Sequence, residues 1–306
     1  MMLDYLLSSK DPLRPAGCLD VLPYYSCVAE GLSGFLGKRE IATRIWIPGG
    51  PKLLKRGSLL EPLTAAELSA NVDRGFAEER AAAKSLAEAA QAITPARKKI
   101  WQYVFPRKLC DLFYATNSEG AGRPMDRIFF DIDRPAGMPL WDAARVASSL
   151  LGLISGDEQF ASLAGRFESF LMYTGSSFHI YVLLGKPIGQ RFYDDNVQFS
   201  KGRPLASFTG RWTERIRSET GVNAIGGHEK MPGAISIDPS QTPSGKLARC
   251  PFSLHMKDAK TVDGVAVPVH PDALKSRSGL EELTSLTPRK VLEGLGSLTG
   301  MLPKAR

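Results

Sequence analysis

The chain has 306 residues, 43% hydrophobic and 23% charged, with a formal net charge of +7. That length supports a substantial core in one domain or two, and the composition excludes a disordered or fibrous chain. The basic balance suits a polyanionic partner, while the lack of a membrane-length apolar run or a signal-like leader leads us to expect a cytoplasmic protein.

The first 60 residues are mixed, with apolar clusters over Val21 to Phe35 and an expected strand at Ile41 to Ile47 stopped by Pro48-Gly49-Gly50-Pro51. Thr64 and Glu67 form a capping box, and Leu68, Val72, Phe76, Ala83, Leu86, Ala90 and Ile93 recur at helical spacing, so one long helix is expected there. Its charges Glu78, Glu79, Arg80 and Lys84 read as a solvated face. Thr94-Pro95 ends it and caps another helix to about Tyr103. From Asp126 the pattern turns to short strands between helices, an α/β texture on an antiparallel or mixed sheet. Helices are expected at Leu140 to Ile154, Asp157 to Phe170 and Leu205 to Glu219, the last stopped by Gly221. Strands are expected at Phe170 to Tyr173, His179 to Leu184, Ala234 to Ile237 and Val265 to Val269, with a short helix at Pro288 to Leu298 capped by Thr287. Cys18, Cys27, Cys110 and Cys250 form no C-x-x-C pair, so they read as free thiols and no zinc is expected.

The run Ile128-Phe129-Phe130-Asp131-Ile132-Asp133 is the most informative segment, because a strand projects both carboxylates from one face. With Asp238, at the end of a later strand, three hard oxygen donors become available for Mg²⁺ or Mn²⁺. Two such ions about 4 Å apart assist attack by a 3′-oxygen and stabilise a departing pyrophosphate. Taken alone, Asp238 reads first as a turn residue, since Asp-Pro-Ser is good turn chemistry. His179 opens a strand after a Gly-Ser-Ser turn, with Ile180, Val182 and Leu184 directed to the core and His179 and Tyr181 on the other face. Its imidazole, the Ser177 hydroxyl and the turn amides are donors suited to phosphate. Arg249 offers a bidentate fork for the same purpose, with Lys246 and His255 nearby in sequence.

In this order, the D-x-D strand end, the S-x-H after a glycine turn, and the strand ending in Asp before Arg-x-Pro-x-Ser-Leu-His resemble the archaeo-eukaryotic primase superfamily over Asp126 to about Lys257. The resemblance implies that Asp131, Asp133 and Asp238 hold two metal ions and are catalytic. It also implies that Ser177, His179, Arg249 and His255 hold the incoming nucleotide, with Lys246 where small primase subunits often have an arginine. The implied fold is α/β (α+β), an RNA-recognition-motif-like catalytic sheet packed on an N-terminal α/β unit with an added long helix. Residues 1–105 would be the N-terminal part, 106–275 the catalytic core and 276–306 a helical tail.

The expected activity is that of a primase or primase-polymerase, with single-stranded DNA as template and NTPs or dNTPs as substrates. Arg107, Lys108, Arg123, Arg127, Arg211, Arg215 and Arg217 are candidates to track template phosphates. Only a short tail follows the motifs, so initiation would draw on a helicase or accessory primase domain, or the chain is the front of a longer one. Two alternatives stand beside this reading: a non-catalytic nucleic-acid-binding replication or defence subunit on the same fold, and a metal-dependent nuclease sharing the acids.

Overall fold

A computed structural model describes residues 1–83, 86–89 and 93–305. In chain order the elements are helices α1 (Met2–Ser8) and α2 (Leu22–Leu36), strands β1 (Ile41–Ile45) and β2 (Leu53–Lys55), and helices α3 (Ala65–Asn71), α4 (Arg74–Ala82), α5 (Leu86–Ala89) and α6 (Pro95–Tyr103). Strands β3 (Cys110–Ala115) and β4 (Met125–Asp133), helices α7 (Leu140–Gly156) and α8 (Glu158–Ala164), and strands β5 (Phe167–Tyr173) and β6 (Phe178–Ile188) follow. Next come helices α9 (Gln190–Asn196) and α10 (Phe208–Thr220) and strands β7 (Ala224–Gly226), β8 (Ile235–Asp238), β9 (Leu247–Arg249), β10 (Leu254–Met256), β11 (Val262–Val265) and β12 (Val267–Pro268). Helices α11 (Arg277–Thr284), α12 (Pro288–Glu293) and α13 (Leu295–Gly300) close the chain. Among the described residues no helix is long and apolar enough to cross a membrane.

The strands form a four-stranded sheet, β2-β1-β3-β9, a six-stranded sheet, β12-β5-β6-β4-β8-β7, and the β10-β11 pair. The chain divides into two compact units: residues 1–114, 249–267 and 286 onward, and residues 115–248 and 268–285.

In the first unit β1 pairs antiparallel with both β2 and β3. Directly paired residues share a face, so Ile41, Thr43, Ile45, Cys110, Leu112 and Tyr114 line one side. All six are buried. The Tyr25 hydroxyl of α2 donates to the Cys110 carbonyl at 2.5 Å, and the Thr43 hydroxyl donates to the Tyr103 carbonyl at the end of α6. Beneath this layer Arg80 is buried with Asp20, Nε to Oδ2 2.6 Å, and its guanidinium lies over the Trp101 ring. Arg80, read from sequence as part of a solvated face, is a core ion pair instead.

The long helix expected from Thr64 to Ile93 is divided. The Thr64–Glu67 capping box forms as read, but Val72 is extended and Asp73 starts a new helix by accepting from the Phe76 amide at 2.8 Å. A strong N-cap inside a periodic run overrides the periodicity. Lys84 and Ala90 of that reading lie outside the described residues.

In the second unit β4 is central, antiparallel to β6 on one side and β8 on the other, while β7 runs parallel to β8. Phe130, Phe160, Phe208 and Trp212 make a ring cluster that packs α8 and α10 against one face of the sheet. Gly210 permits the turn at Pro204 to lie close against α10, because a Cβ there would meet the Pro204 carbonyl oxygen at 1.6 Å. The helix expected to run to Phe170 stops at Gly165, whose φ of +71° suits glycine, and the chain turns into β5. α10 ends on Gly221 in the left-handed conformation, as its sequence predicts.

Candidate active site

The site is built at the ends of three neighbouring strands of the six-stranded sheet. Asp131 pairs with His179 of β6 on one side and with Asp238 of β8 on the other, while Asp133 pairs with Ser236. By alternation Phe129, Asp131 and Asp133 share a face with His179, Tyr181, Ser236 and Asp238; Ile128, Phe130 and Ile132 fill the opposite one. β6 is buried on both faces from Phe178 to Leu184. The Asp131 and Asp133 side chains, by contrast, are 37% and 36% exposed.

His179 Nε2 lies 3.2 Å from Asp131 Oδ1, with the imidazole 7% exposed and edge-on to Phe129 at 4.7 Å. Its Nδ1 is buried with no hydrogen-bond partner among the described residues. The turn before it is tightly built: Ser177 N–H donates to Thr174 Oγ1 at 2.9 Å, and Thr174 N–H donates to the Ser177 carbonyl at 2.9 Å. Arg134, one residue after β4, donates from Nε and Nη2 to the Ser176 carbonyl at 3.2 and 3.0 Å. The Ser177 hydroxyl donates to the Ile132 carbonyl, which ties the turn to the aspartate strand.

Asp238 accepts from Ser240 N–H at 2.9 Å and from the Ser240 hydroxyl at 2.8 Å. Its pKa is raised, first by burial and further by the facing Asp131 charge, against the lowering effect of Ser240 and His228. The loop beyond Asp238 returns to β4 through Thr242, whose hydroxyl accepts from Phe129 N–H at 2.9 Å and donates to the Phe129 carbonyl at 3.1 Å. Sequence reading missed Lys230, which sits 2.5 Å from Asp133 and whose pKa that carboxylate raises. It stands in an irregular loop between β7 and β8, where no periodicity marks it.

The acids suit a hard divalent cation in kind: oxygen donors on adjacent strands, with like charges that a cation would relieve. In this arrangement Asp133 is held by Lys230 and Asp238 by Ser240, and no group of three or more His, Cys, Asp or Glu among the described residues is assembled to hold a metal.

No protein-family model and no curated protein matches the chain. Among solved structures, the polymerase domain of Mycobacterium tuberculosis ligase D, in complex with DNA, matches with a TM-score of 0.53 and 18% identity, covering 92% of each chain. The chain therefore shares the fold of that polymerase domain. The mixed α/β architecture expected from the sequence is present.

The other sequence-selected residues are distributed as follows. Lys246 is exposed in the second unit, its carbonyl accepting from Thr116 N–H at 3.0 Å. Arg249 and His255 belong to the first unit. There Arg249 donates to the Leu254 carbonyl at 3.0 Å and stands 3.6 Å from Asp111, while His255 Nδ1 lies 2.5 Å from Asp263. Arg107 donates to the Ala81 and Ala83 carbonyls at the end of α4, and Lys108 is exposed. Arg123 is exposed, and Arg211 contacts Gln159 and the Phe208 ring, while Arg215 pairs with Glu219 and Arg217 with Glu214. Arg127 is not a surface cation: it is 2% exposed, because its strand position points into the interior.

Proposed function

We propose that this chain is a template-directed nucleotidyltransferase of primase or primase-polymerase type, acting on single-stranded DNA with NTPs or dNTPs. The observation that carries the proposal is the placement of Asp131 between His179 and Asp238 on adjacent strands, with Asp133 on the same face. Asp131, Asp133 and Asp238 would hold Mg²⁺ or Mn²⁺; two bound ions would ease attack by the 3′-oxygen and neutralise the leaving pyrophosphate.

The chain's own residues then have separable tasks. His179, beside Asp131 at the strand ends, contacts a nucleotide phosphate, and Ser177 and Arg134 hold the turn that places it. Lys246 and, within the first unit, Arg249 and His255 are proposed as further phosphate-binding residues. Arg107, Lys108, Arg211 and Arg215 serve the template phosphates. Rate enhancement comes chiefly from positioning and charge neutralisation.

The salt bridge between Lys230 and Asp133 favours a second reading, a nucleic-acid-binding subunit without synthesis. Incubation with single-stranded templates and labelled ribo- or deoxyribonucleotides, with and without primer, in Mg²⁺ and Mn²⁺, separates the two. Metal-dependent product supports the first reading, and salt-sensitive binding without product supports the second.

A further inference from the structure

The outer face of the four-stranded sheet in the first unit is built unlike its inner face. Register places Ala42 opposite Phe113, Arg44 opposite Asp111, and Arg44 opposite Leu54, so these residues share one side. Trp46 continues that side beyond β1, and Lys52 Nζ lies 3.7 Å from the centre of its ring. The Asp111 carboxylate is fully buried at the centre of the group. It accepts from Arg44 Nε at 2.8 Å and from Trp46 Nε1 at 3.2 Å, and it stands 3.6 Å from Arg249. Both guanidiniums lie over Phe113, at 4.9 Å for Arg44 and 5.3 Å for Arg249.

Two features go beyond what holding the sheet together requires. Two guanidiniums, Arg44 and Arg249, approach one buried carboxylate, and a third cation, Lys52, lies over the indole beside them. The pKa of Lys52 is lowered, first by burial and then by Arg44, against the raising effect of Asp111. Second, the group remains accessible. Arg44 is 34% exposed, Trp46 and Phe113 are half-buried, Lys52 is exposed, and Leu54 beside them is 39% exposed. Alternating rings and cations on a partly exposed sheet face match the chemistry of a single strand, in which bases seek π-faces and phosphates seek cations.

We infer that this face, centred on Trp46, Arg44, Phe113 and Lys52, is a docking platform for single-stranded nucleic acid, with a base against Trp46 and adjoining phosphates at Lys52 and Arg44. Asp111 preorganises the platform by fixing Arg44 and the indole before the strand arrives. This inference rests on the proposed action on nucleic acid and names the surface that holds the strand.

The test measures binding by the full chain, without nucleotide or metal, of labelled oligo-dT and of an abasic deoxyribose-phosphate oligomer of equal length. Trp46→Leu is expected to weaken oligo-dT binding roughly tenfold or more, leave abasic binding almost unchanged, and be largely rescued by Trp46→Phe. Lys52→Gln, at an exposed side chain, is expected to weaken both ligands and reduce the salt slope by about 0.7. Wild-type oligo-dT affinity in both Trp46→Leu and Lys52→Gln, or equal loss of the two ligands in folded Trp46→Leu, overturns the platform. Synthesis with an unaltered strand affinity in both variants rejects the platform and keeps the polymerase; Trp46-dependent binding with no synthesis does the reverse.

Discussion

The two large sheets use the same strand alternation to opposite ends. In the second unit β6 is closed on both faces from Phe178 to Leu184, so reactive groups appear where strands end: Asp131, Asp133 and Asp238. In the first unit one sheet face is core and the other carries Arg44, Trp46, Lys52 and Phe113 along its length. The six-stranded sheet gathers carboxylates at the ends of adjacent strands, where a cation site is proposed. The other sheet spreads cations and rings over a partly buried face, the arrangement from which a polyanion site is inferred.

The largest expected effect separates the two sheets by function: Asp131→Asn reduces nucleotide incorporation by about 10²- to 10³-fold or more with circular dichroism unchanged. Primer extension checks it, and the same variant should bind oligo-dT as wild type does. Next is a stability contrast between a buried and an exposed ion pair. Asp20→Ala leaves Arg80 charged and buried and should cost about 3–5 kcal/mol in urea unfolding, whereas Glu219→Ala, which breaks the exposed pair with Arg215, should cost under about 0.5 kcal/mol.

Asp238 gives a pH signature. Its folded pKa is raised above the ordinary value of 3.8, so the folded protein binds the proton more tightly than the unfolded chain. Stability from this group therefore falls as pH rises from 3.8 through the raised value, and the full penalty persists at neutral pH. Asp238→Asn should raise the Tm at pH 7 and lose that advantage below pH 3.8, while abolishing synthesis; thermal melts across pH read the first and primer extension the second. The smallest effect is local: Thr64→Ala removes the α3 cap and should cost about 1 kcal/mol in urea unfolding.

Much of the core was legible because it rests on local rules. The shared face of Asp131 and Asp133, the Thr64–Glu67 capping box and the Gly221 helix stop each depend on a few adjacent residues. β3 was not seen because its residues are buried on both faces except Phe113, which erases the alternation, and its charged Asp111 hides in a polar contact. The break at Val72-Asp73 escaped because apolar spacing continues across it. The Asp131 to Asp238 pairing is long-range strand register; the order of motifs suggested it, yet no local pattern fixes it. Lys230 carries no signal of its own, since its contact with Asp133 arises from the loop's path.

The most direct test of the central claim compares wild-type protein and Asp131→Asn for labelled-nucleotide incorporation on a primed single-stranded template, with Mn²⁺ and with chelator. The account predicts product only for the wild type with metal. Equal product from both proteins, or none from either while both remain folded, contradicts it.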